Sequence, residues 1–223
     1  MRVDSFSVLQ QRYWQRAGLA RRRPPEHPVV AAYVTPKIEL IRRYIEIGRD
    51  TCLLDVGCGN GFFTHYFDKI CKTCGVDLSE QMLAMNPVGS KIRMSADELT
   101  FRDHSFDIVF CHDLLHHAAD PDRVVAEMKR VSKRYVVLLE SNRNNPFIFL
   151  FACMVKEERQ CLKSSLSYLV RLAQQNGLRV IDAFSYGMVF PNKLPVFLIP
   201  LARWFNVKQP LGETNFVIAE KKF

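Results

Sequence analysis

An apolar segment at residues 52–56 contains an acidic residue and leads into a turn with three glycines. Asp55 is followed by Gly57, Gly59 and Gly61, so every second residue of the turn lacks a side chain. Glycine permits positive φ angles and lets a ligand approach the main chain closely. A glycine-rich turn between a strand and a helix commonly binds a nucleotide-like ligand. The segment therefore predicts a ligand site at the carboxyl end of the first strand.

The spacing of the small residues tests whether the ligand is a dinucleotide. A dinucleotide-binding turn follows G-x-G-x-x-G/A, in which the last small residue lets the helix pack closely on the sheet. Counted from Gly57, that position is Phe62, so the dinucleotide pattern fails. Asp77 follows a second apolar segment and could accept hydrogen bonds from both hydroxyls of a ribose. The alternative role for Asp77 is to cap the next helix.

Strand-like and helical patterns alternate through the rest of the chain. Strands are predicted at residues 52–56, 73–77, 91–95, 106–111, 135–140, 178–186 and 214–222. Helices are predicted at residues 5–18, 28–47, 62–70, 79–85, 120–133 and over most of 146–176. Ser79 and either Asp120 or Asp122 are the expected helix N-caps. The alternation predicts a doubly wound, Rossmann-like α/β fold, mostly parallel, with helices on both faces of the sheet.

These motifs resemble those of class I S-adenosylmethionine-dependent methyltransferases. The G-x-G-x-G turn behind a strand carboxylate is similar to their motif I, and residues 106–133 resemble the fourth strand and helix of their small-molecule branch. That branch includes enzymes of ubiquinone and menaquinone biosynthesis. The resemblance covers about residues 52–140 and implies a seven-stranded sheet with an antiparallel last strand, S-adenosyl-L-methionine as cofactor and methyl transfer as activity. The sequence departs from the family pattern at two points. SKR stands where a Pro-Gly-Gly turn usually precedes the fifth strand, and an NPPY-like motif is missing.

The resemblance also implies which residues contact the cofactor. They are Asp55, Gly57, Cys58, Gly59 and Gly61 in the first turn, Asp77, Leu78 and Met82 after the second strand, Ala96, Asp97 and Glu98 after the third, Cys111 and His112 after the fourth, and Tyr13 near the amino terminus. In this interpretation Asp77 binds the ribose hydroxyls and Asp97 accepts a hydrogen bond from the adenine amino group.

Two groups of polar residues are candidates for the methyl acceptor site. His116 and His117 could remove a proton from the acceptor, although capping or packing roles are alternatives. Glu140, Ser141, Asn142 and Arg143 form a polar group at the end of the fifth strand, where acceptor contacts are expected, with simple loop solvation as the alternative. Because a sulfonium methyl group is already electrophilic, orientation of the acceptor is expected to provide most of the catalysis.

Domain organisation is predicted from the change in pattern near residue 50. Residues 1–50 are expected to form a helical lid or cap, interrupted by the proline-rich segment RRRPPEHP. Residues 51–223 are expected to form the methyltransferase domain, with a helical insertion at about 144–176 that serves the acceptor site. The seven cysteines are expected to be reduced, and the CxxC of Cys71 and Cys74 lacks the partners of a zinc site, so no metal is predicted.

Charge and hydropathy limit the remaining function classes. The net charge of +8 divides into +5 for residues 1–50, −3 for residues 51–140 and +6 for residues 141–223. No apolar segment approaches the roughly 20 residues of a membrane span, and the first residues lack the apolar stretch of a secretory signal, so we expect a cytoplasmic enzyme. Basic flanks could attract an anionic substrate, an anionic membrane surface or nucleic acid, or could simply be solvated.

Three functions remain open at this point. Two apolar segments after the fifth strand, residues 146–155 and 194–205, would form either an apolar acceptor pocket or a cover that packs on the sheet. As a pocket they favour a methyltransferase acting on a small, lipophilic or anionic acceptor, with transient membrane contact. An RNA or other nucleic-acid methyltransferase is less favoured, because no RNA-binding module is recognisable. The third alternative is a protein that binds the adenosyl ligand without catalysis. Oligomeric state is not predicted.

Overall fold

A single seven-stranded sheet forms the centre of the protein. The structure is a computed structural model, and it describes residues 22–222. The strands are β1 (Cys52–Val56), β2 (Lys72–Asp77), β3 (Lys91–Arg93), β4 (Phe106–His112), β5 (Ser132–Ser141), β6 (Leu178–Tyr186) and β7 (Thr214–Lys221). Their order in the sheet is β3-β2-β1-β4-β5-β7-β6, and β7 runs antiparallel to both β5 and β6 while β1 to β5 are parallel. The predicted mostly parallel sheet with an antiparallel last strand is confirmed.

Helices connect the strands and cover both faces of the sheet. They are α1 (Pro28–Arg42), α2 (Thr64–Phe67), α3 (Glu80–Met85), α4 (Pro121–Val131), α5 (Pro146–Met154), α6 (Leu166–Gln175) and α7 (Ile199–Trp204). Short 3₁₀ segments lie at Leu115–His117, Lys156–Lys163 and Val196–Leu198. Ser79 caps α3 by accepting a hydrogen bond from Met82 N at 3.3 Å, and Asp120 caps α4 through Arg123 N at 3.1 Å.

Two buried clusters explain why the strands are so apolar. Successive side chains of a strand point to opposite faces of the sheet. Leu53 accordingly packs in a cluster with α1, and Leu54 packs in a second cluster with α4 and α6. Since both faces are covered, the central parallel strands carry almost continuous apolar sequence.

Several element boundaries differ from the predicted ones. The segment after the glycine turn is α-helical only at Thr64–Phe67 rather than over the predicted 62–70, and β2 begins at Lys72, where it pairs with Cys52. β5 begins at Ser132 rather than at residue 135, since SKR continues the strand where a Pro-Gly-Gly turn would have interrupted it. The helical region predicted over 146–176 consists of α5, a 3₁₀ segment and α6.

The predicted boundary at residue 50 does not separate α1 from the sheet. Val29, Val30, Val34 and Ile41 of α1 are buried in the same cluster as Phe110 of β4. The predicted helix also ends at Arg42 rather than at residue 47. Residues 1–21 of the predicted lid, which include Tyr13, lie outside the described residues. Within residues 22–222, no helix is both long and apolar enough to cross a membrane.

Candidate active site

A cleft of about 1430 Å³ opens where the parallel strands end. Ten predicted cofactor contacts line it, namely Asp55, Gly57, Cys58, Gly59, Asp77, Leu78, Met82, Ala96, Asp97 and His112. They come from the carboxyl ends of β1, β2, β3 and β4, which is the edge where open α/β sheets bind ligands. Ligand pockets typically measure about 300 to 1,000 Å³. The cleft is therefore large enough for a nucleoside cofactor together with an acceptor.

The glycine turn has the backbone conformation that its sequence predicts. Gly57, Gly59 and Gly61 have φ angles of 72°, 52° and 91°, which other residues rarely adopt. A Cβ atom on Gly57 would lie only 2.8 Å from Leu114 Cδ1. The N–H groups of Gly57 and Cys58 both donate to Val76 O, at 2.8 and 3.0 Å. These N–H groups, expected to face a ligand, instead hold the turn against β2.

Asp77 joins the glycine turn to the start of α3. Its Oδ2 accepts a hydrogen bond from Gly59 N at 2.8 Å, and its Oδ1 accepts one from Ser79 N at 2.8 Å. Burial raises the pKa of Asp77 above its usual value. An ionised carboxylate offers about four lone pairs, so two acceptor positions remain for a ligand. The capping role and ribose binding are therefore compatible.

Asp55 lies deeper, at the floor of the cleft. Thr64 Oγ1 donates a hydrogen bond to Asp55 Oδ2 at 2.7 Å. Burial raises the pKa of Asp55 to about 7, because the charged form has lost its contact with water. The side chain is thus close to the point of being half ionised at neutral pH.

Three other predicted cofactor contacts do not line the cleft. Glu98 is exposed, and Cys111 is fully buried within the sheet, where it packs in the cluster that contains α4. Gly61 instead approaches Asn86, whose Oδ1 would lie 2.6 Å from an added Cβ. The geometry gives no support for a direct side-chain contact by Glu98 or Cys111.

His112 is held at the cleft by a residue that the sequence interpretation missed. Tyr33 Oη of α1 lies 2.6 Å from His112 Nε2 and 3.3 Å from Thr214 Oγ1. Burial lowers the pKa of His112 to about 4, so the imidazole is neutral at pH 7. Only the amphipathic spacing of α1 signalled that Tyr33 is buried, and nothing in the sequence linked it to His112.

His116 and His117 both line the cleft, and carboxylates surround them. His116 Nδ1 lies 2.6 Å from Glu140 Oε2, and His116 Nε2 lies 3.5 Å from Glu158 Oε2. Burial, followed by repulsion from His116, lowers the pKa of His117 to about 3. His116 has both ring nitrogens occupied, whereas the neutral His117 is a weak base.

Three of the four residues predicted to contact the acceptor at the end of β5 instead support the fold. Glu140 is buried, and its Oε1 accepts hydrogen bonds from Leu114 N and Leu115 N at 2.8 and 2.6 Å. Asn142 is buried and donates to Pro210 O and Gly212 O, while the exposed Arg143 donates to Leu162 O. None of the three lines the cleft. The sequence placed them correctly at the end of β5, but β7 returns beside this end and requires polar groups to bind the backbone of its loop.

Ser141, the fourth of these predicted residues, lies in the cleft wall together with Asp113. Ser141 N and Ser141 Oγ both donate to Asp113 Oδ1 at 2.9 Å. Although burial alone would raise it, the neighbouring imidazoles of His112 and His116 lower the pKa of Asp113 to about 2. A lasting negative charge therefore lies in this part of the cleft.

The other half of the cleft is apolar. Phe147, Leu150, Phe151 and Met154 of α5 line one side, and Met188, Phe190, Leu198, Leu201 and Phe205 line the other. The two sides touch where the rings of Phe147 and Phe190 meet edge to face, with centroids 5.9 Å apart. Both apolar segments, at 146–155 and 194–205, thus contribute to a single cavity. The two alternatives predicted for them were an apolar acceptor pocket and a cover for the sheet.

Three features of the fold and the site together point to one class of protein. They are the antiparallel β7 of the doubly wound sheet, the glycine turn after β1 and the acidic residue that ends β2. Residues 54–139 match the methyltransferase domain family. Together with the relatives below, this match supports a class I S-adenosylmethionine-dependent methyltransferase, which uses S-adenosyl-L-methionine as its cofactor.

The full-length relatives agree with this assignment. A ubiquinone biosynthesis O-methyltransferase of Sinorhizobium fredii is 25% identical over 243 residues, covering 99% of this chain and 94% of the relative. A protein of the same name from Coxiella burnetii is 27% identical over 200 residues, covering 81% of this chain and 82% of the relative.

Solved structures show the same fold at lower identity. A methyltransferase from Aquifex aeolicus superposes with a TM-score of 0.62 at 17% identity, covering 88% of this chain and 95% of the other. Magnesium protoporphyrin IX methyltransferase from Synechocystis, solved with bound S-adenosylmethionine, superposes with a TM-score of 0.63 at 13% identity and full coverage of both chains.

Proposed function

We propose that this protein transfers the methyl group of S-adenosylmethionine to a hydroxyl oxygen of a small, largely apolar acceptor. The observation that carries the proposal is the apolar half of the cleft, lined by α5 and by residues 188–205. An oxygen acceptor is supported by the relatives, which are named as O-methyltransferases. A nucleic acid is disfavoured, since a groove for phosphates would carry cations where this one carries phenylalanine and leucine.

The proposed cofactor position uses the polar half of the cleft. Asp77 would accept hydrogen bonds from the ribose hydroxyls, and Asp97 would accept one from the adenine amino group. The turn from Gly57 to Gly61 would lie under the methionine part, beside Asp55 and His112. Support comes from the positions of Asp77 and Gly59, which are joined by a 2.8 Å hydrogen bond at the ends of β2 and β1.

The proposed mechanism is in-line displacement, in which the acceptor oxygen attacks the sulfonium methyl and S-adenosylhomocysteine leaves. Correct positioning alone can supply effective molarities on the order of 10⁵ M or more. Of the two predicted bases, we retain His117, because both ring nitrogens of His116 are held by Glu140 and Glu158, while His117 Nε2 lies 4.0 Å from Glu158 Oε2. A pKa of about 3 makes His117 a weak base, so orientation is assigned the larger share.

The acceptor proposal is tested with pairs of phenols that share a ring and differ only in the length of an alkyl tail. Each buried methylene contributes about 0.8 kcal/mol, so kcat/KM should rise about fourfold per methylene while the tail still finds apolar wall. Phe151→Ala should weaken this dependence, because Phe151 lines the cleft. Phe149→Ala is the matched control, since Phe149 lies on the same helix but outside the cleft lining.

Two results would contradict the proposal. A kcat/KM that does not change with tail length would exclude an apolar acceptor site. An equal loss of the tail dependence in Phe149→Ala and Phe151→Ala would remove the cleft as its cause.

The rim of the cleft supports transient contact with an anionic membrane surface. An α-helix that is apolar on all sides is normally buried, yet α5 buries only Ala152. Across the cleft, Phe197 and Trp204 are 78% and 85% exposed. The exposed Lys193 and Arg203 lie beside them, as expected for a surface that meets anionic lipid.

Fluorescence tests this contact directly. In Trp14→Phe, Trp204 is the remaining tryptophan. Its emission should shift to the blue with vesicles of phosphatidylglycerol and phosphatidylcholine, and less so with phosphatidylcholine alone. No shift with either kind of vesicle would contradict membrane contact, and a shift that depends on protein concentration without lipid would indicate self-association.

A further inference from the structure

Three potential metal ligands meet at the inner wall of the acceptor half of the cleft. His116 belongs to the 3₁₀ turn after β4, whereas Glu158 and Cys161 belong to the 3₁₀ segment after α5. One ligand atom from each lies within 4.8 Å of the other two. All three side chains are buried, with at most 9% of the residue exposed, and all three line the cleft. Two separate parts of the chain thus bring nitrogen, oxygen and sulfur donors together.

The separations of the donor atoms are close to those of a tetrahedral metal site. Zinc binds nitrogen, oxygen and sulfur at about 2.0 to 2.3 Å, which in a tetrahedron separates the ligand atoms by roughly 3.3 to 3.6 Å. His116 Nε2 lies 3.5 Å from Glu158 Oε2, and Cys161 Sγ lies 3.7 Å from the same oxygen. An ion could therefore be held with only small side-chain shifts.

Glu140 provides the supporting contact that histidine ligands of metals usually have. A metal-binding imidazole commonly gives its other ring nitrogen to a carboxylate, which fixes the orientation of the ring. His116 Nδ1 lies 2.6 Å from Glu140 Oε2, and two backbone N–H groups hold Glu140 Oε1. This arrangement directs His116 Nε2 toward Glu158 and Cys161. It also makes Glu140 itself a poor ligand, since both of its oxygens are already engaged.

We propose that His116, Glu158 and Cys161 bind a zinc ion. A set of imidazole, carboxylate and thiolate suits zinc, whereas magnesium and calcium prefer sites built from oxygen donors. His117 is a candidate fourth ligand, with Nε2 at 4.0 Å from Glu158 Oε2. The ion lies in the cleft wall beside the acceptor half, and its binding does not depend on which acceptor the enzyme uses.

This site departs from the expectation of no metal. That expectation came from the spacing around Cys71 and Cys74, which lacks a second ligand pair. The proposed ligands are far apart in sequence, and only the packing of the 3₁₀ segment Lys156–Lys163 against the turn Leu115–His117 brings them together. The paired His116 and His117 were visible in the sequence, but their partners were not.

Cobalt substitution tests the site on the wild-type chain. The purified protein is stripped with a chelator and titrated with Co²⁺ under reducing conditions. We expect one equivalent to bind and to produce the intense near-ultraviolet absorption of a cobalt–thiolate bond together with the visible bands of a tetrahedral ion. Zinc should displace the cobalt with the same stoichiometry. Absence of the thiolate band in the wild type would overturn the proposal.

Variants then locate the ligands. Cys161→Ser should abolish the thiolate band and weaken zinc binding by at least tenfold, as measured by competition with a chromogenic chelator. Cys153→Ser is the matched control, because Cys153 is exposed on α5 and belongs to no donor cluster within residues 22–222. Glu158→Gln should also weaken zinc binding, with Glu157→Gln as its neighbour control. Zinc binding by Cys161→Ser equal to that of the wild type would overturn the proposal.

The zinc site can be tested even if a variant does not fold. Affinity for S-adenosylhomocysteine reports whether each variant is folded independently of zinc. If Cys161→Ser fails this check, X-ray absorption of the zinc-loaded wild type decides the matter. A first shell with one sulfur and two or three nitrogen or oxygen atoms is expected, and a shell without sulfur would refute the site.

Discussion

Replacement of Asp77 by asparagine should weaken cofactor binding far more than it weakens the fold. The two carboxylate oxygens of Asp77 accept hydrogen bonds from Gly59 N and Ser79 N, each at 2.8 Å. An amide keeps only one acceptor oxygen and would direct its NH₂ group at a backbone N–H. The variant is therefore expected to lose one hydrogen bond between the ribose and the carboxylate, and a hydrogen bond to a charged group corresponds to about 1.5 to 3 kcal/mol of binding free energy. The Kd for S-adenosylmethionine should therefore rise by roughly 10- to 150-fold.

Isothermal titration calorimetry measures this change, and the chain offers a matched control. Asp107 Oδ2 also accepts a backbone hydrogen bond, from Cys52 N at 2.8 Å, but at the amino ends of the strands. Asp107→Asn should perturb the fold in a similar way and leave cofactor affinity unchanged. The reasoning fails if Asp77→Asn binds S-adenosylmethionine within about twofold of the wild type, or if both variants lose affinity equally.

Three further predictions concern stability and are measured by urea unfolding of the cofactor-free protein. Burial holds the pKa of Asp55 near 7 in the folded protein instead of 3.8, so the wild type loses stability as the pH rises from about 4 to 7. Over this range the free energy of unfolding of Asp55→Asn should therefore rise relative to that of the wild type by up to about 4 kcal/mol. A difference that does not change with pH would contradict this. Lys37 Nζ lies 2.7 Å from Glu213 Oε1 in a fully buried pair. Lys37→Met should lower the free energy of unfolding by about 3 to 5 kcal/mol, because it leaves Glu213 buried without its partner. The double variant Lys37→Met/Glu213→Leu should recover most of that loss, and failure to recover would show that packing rather than charge is responsible. Gly57→Ala should destabilise by at least about 1 kcal/mol because of its positive φ, whereas Gly48→Ala, with nothing within 4 Å of an added Cβ, should be nearly neutral.

The fold and the polar half of the site were predictable because their signals are local. A strand buried on both faces must be apolar, and a turn with positive φ at three positions requires glycine. Ser79 and Asp120 cap helices for reasons that depend only on the next three residues. Asp77 follows the same logic, since the carboxyl end of one parallel strand lies beside that of its neighbour.

The acceptor half was less predictable because it depends on contacts between distant segments. Glu140 carries the charge expected of a binding residue, but its Oε1 accepts hydrogen bonds from the backbone of the turn after β4 and its Oε2 contacts His116. Tyr33 reaches His112 across the sheet, and Glu158 and Cys161 reach His116 from a separate 3₁₀ segment. No short-range pattern encodes these contacts, which arise from tertiary packing.

A crystal structure with S-adenosylhomocysteine would test the central claim most directly. We expect the ribose hydroxyls to contact Asp77, the amino-acid part to lie over the turn from Gly57 to Gly61, and the sulfur to face the apolar half of the cleft between α5 and residues 188–205. A nucleoside bound away from Asp77, or a sulfur directed away from the apolar half, would contradict the proposed path of the methyl group.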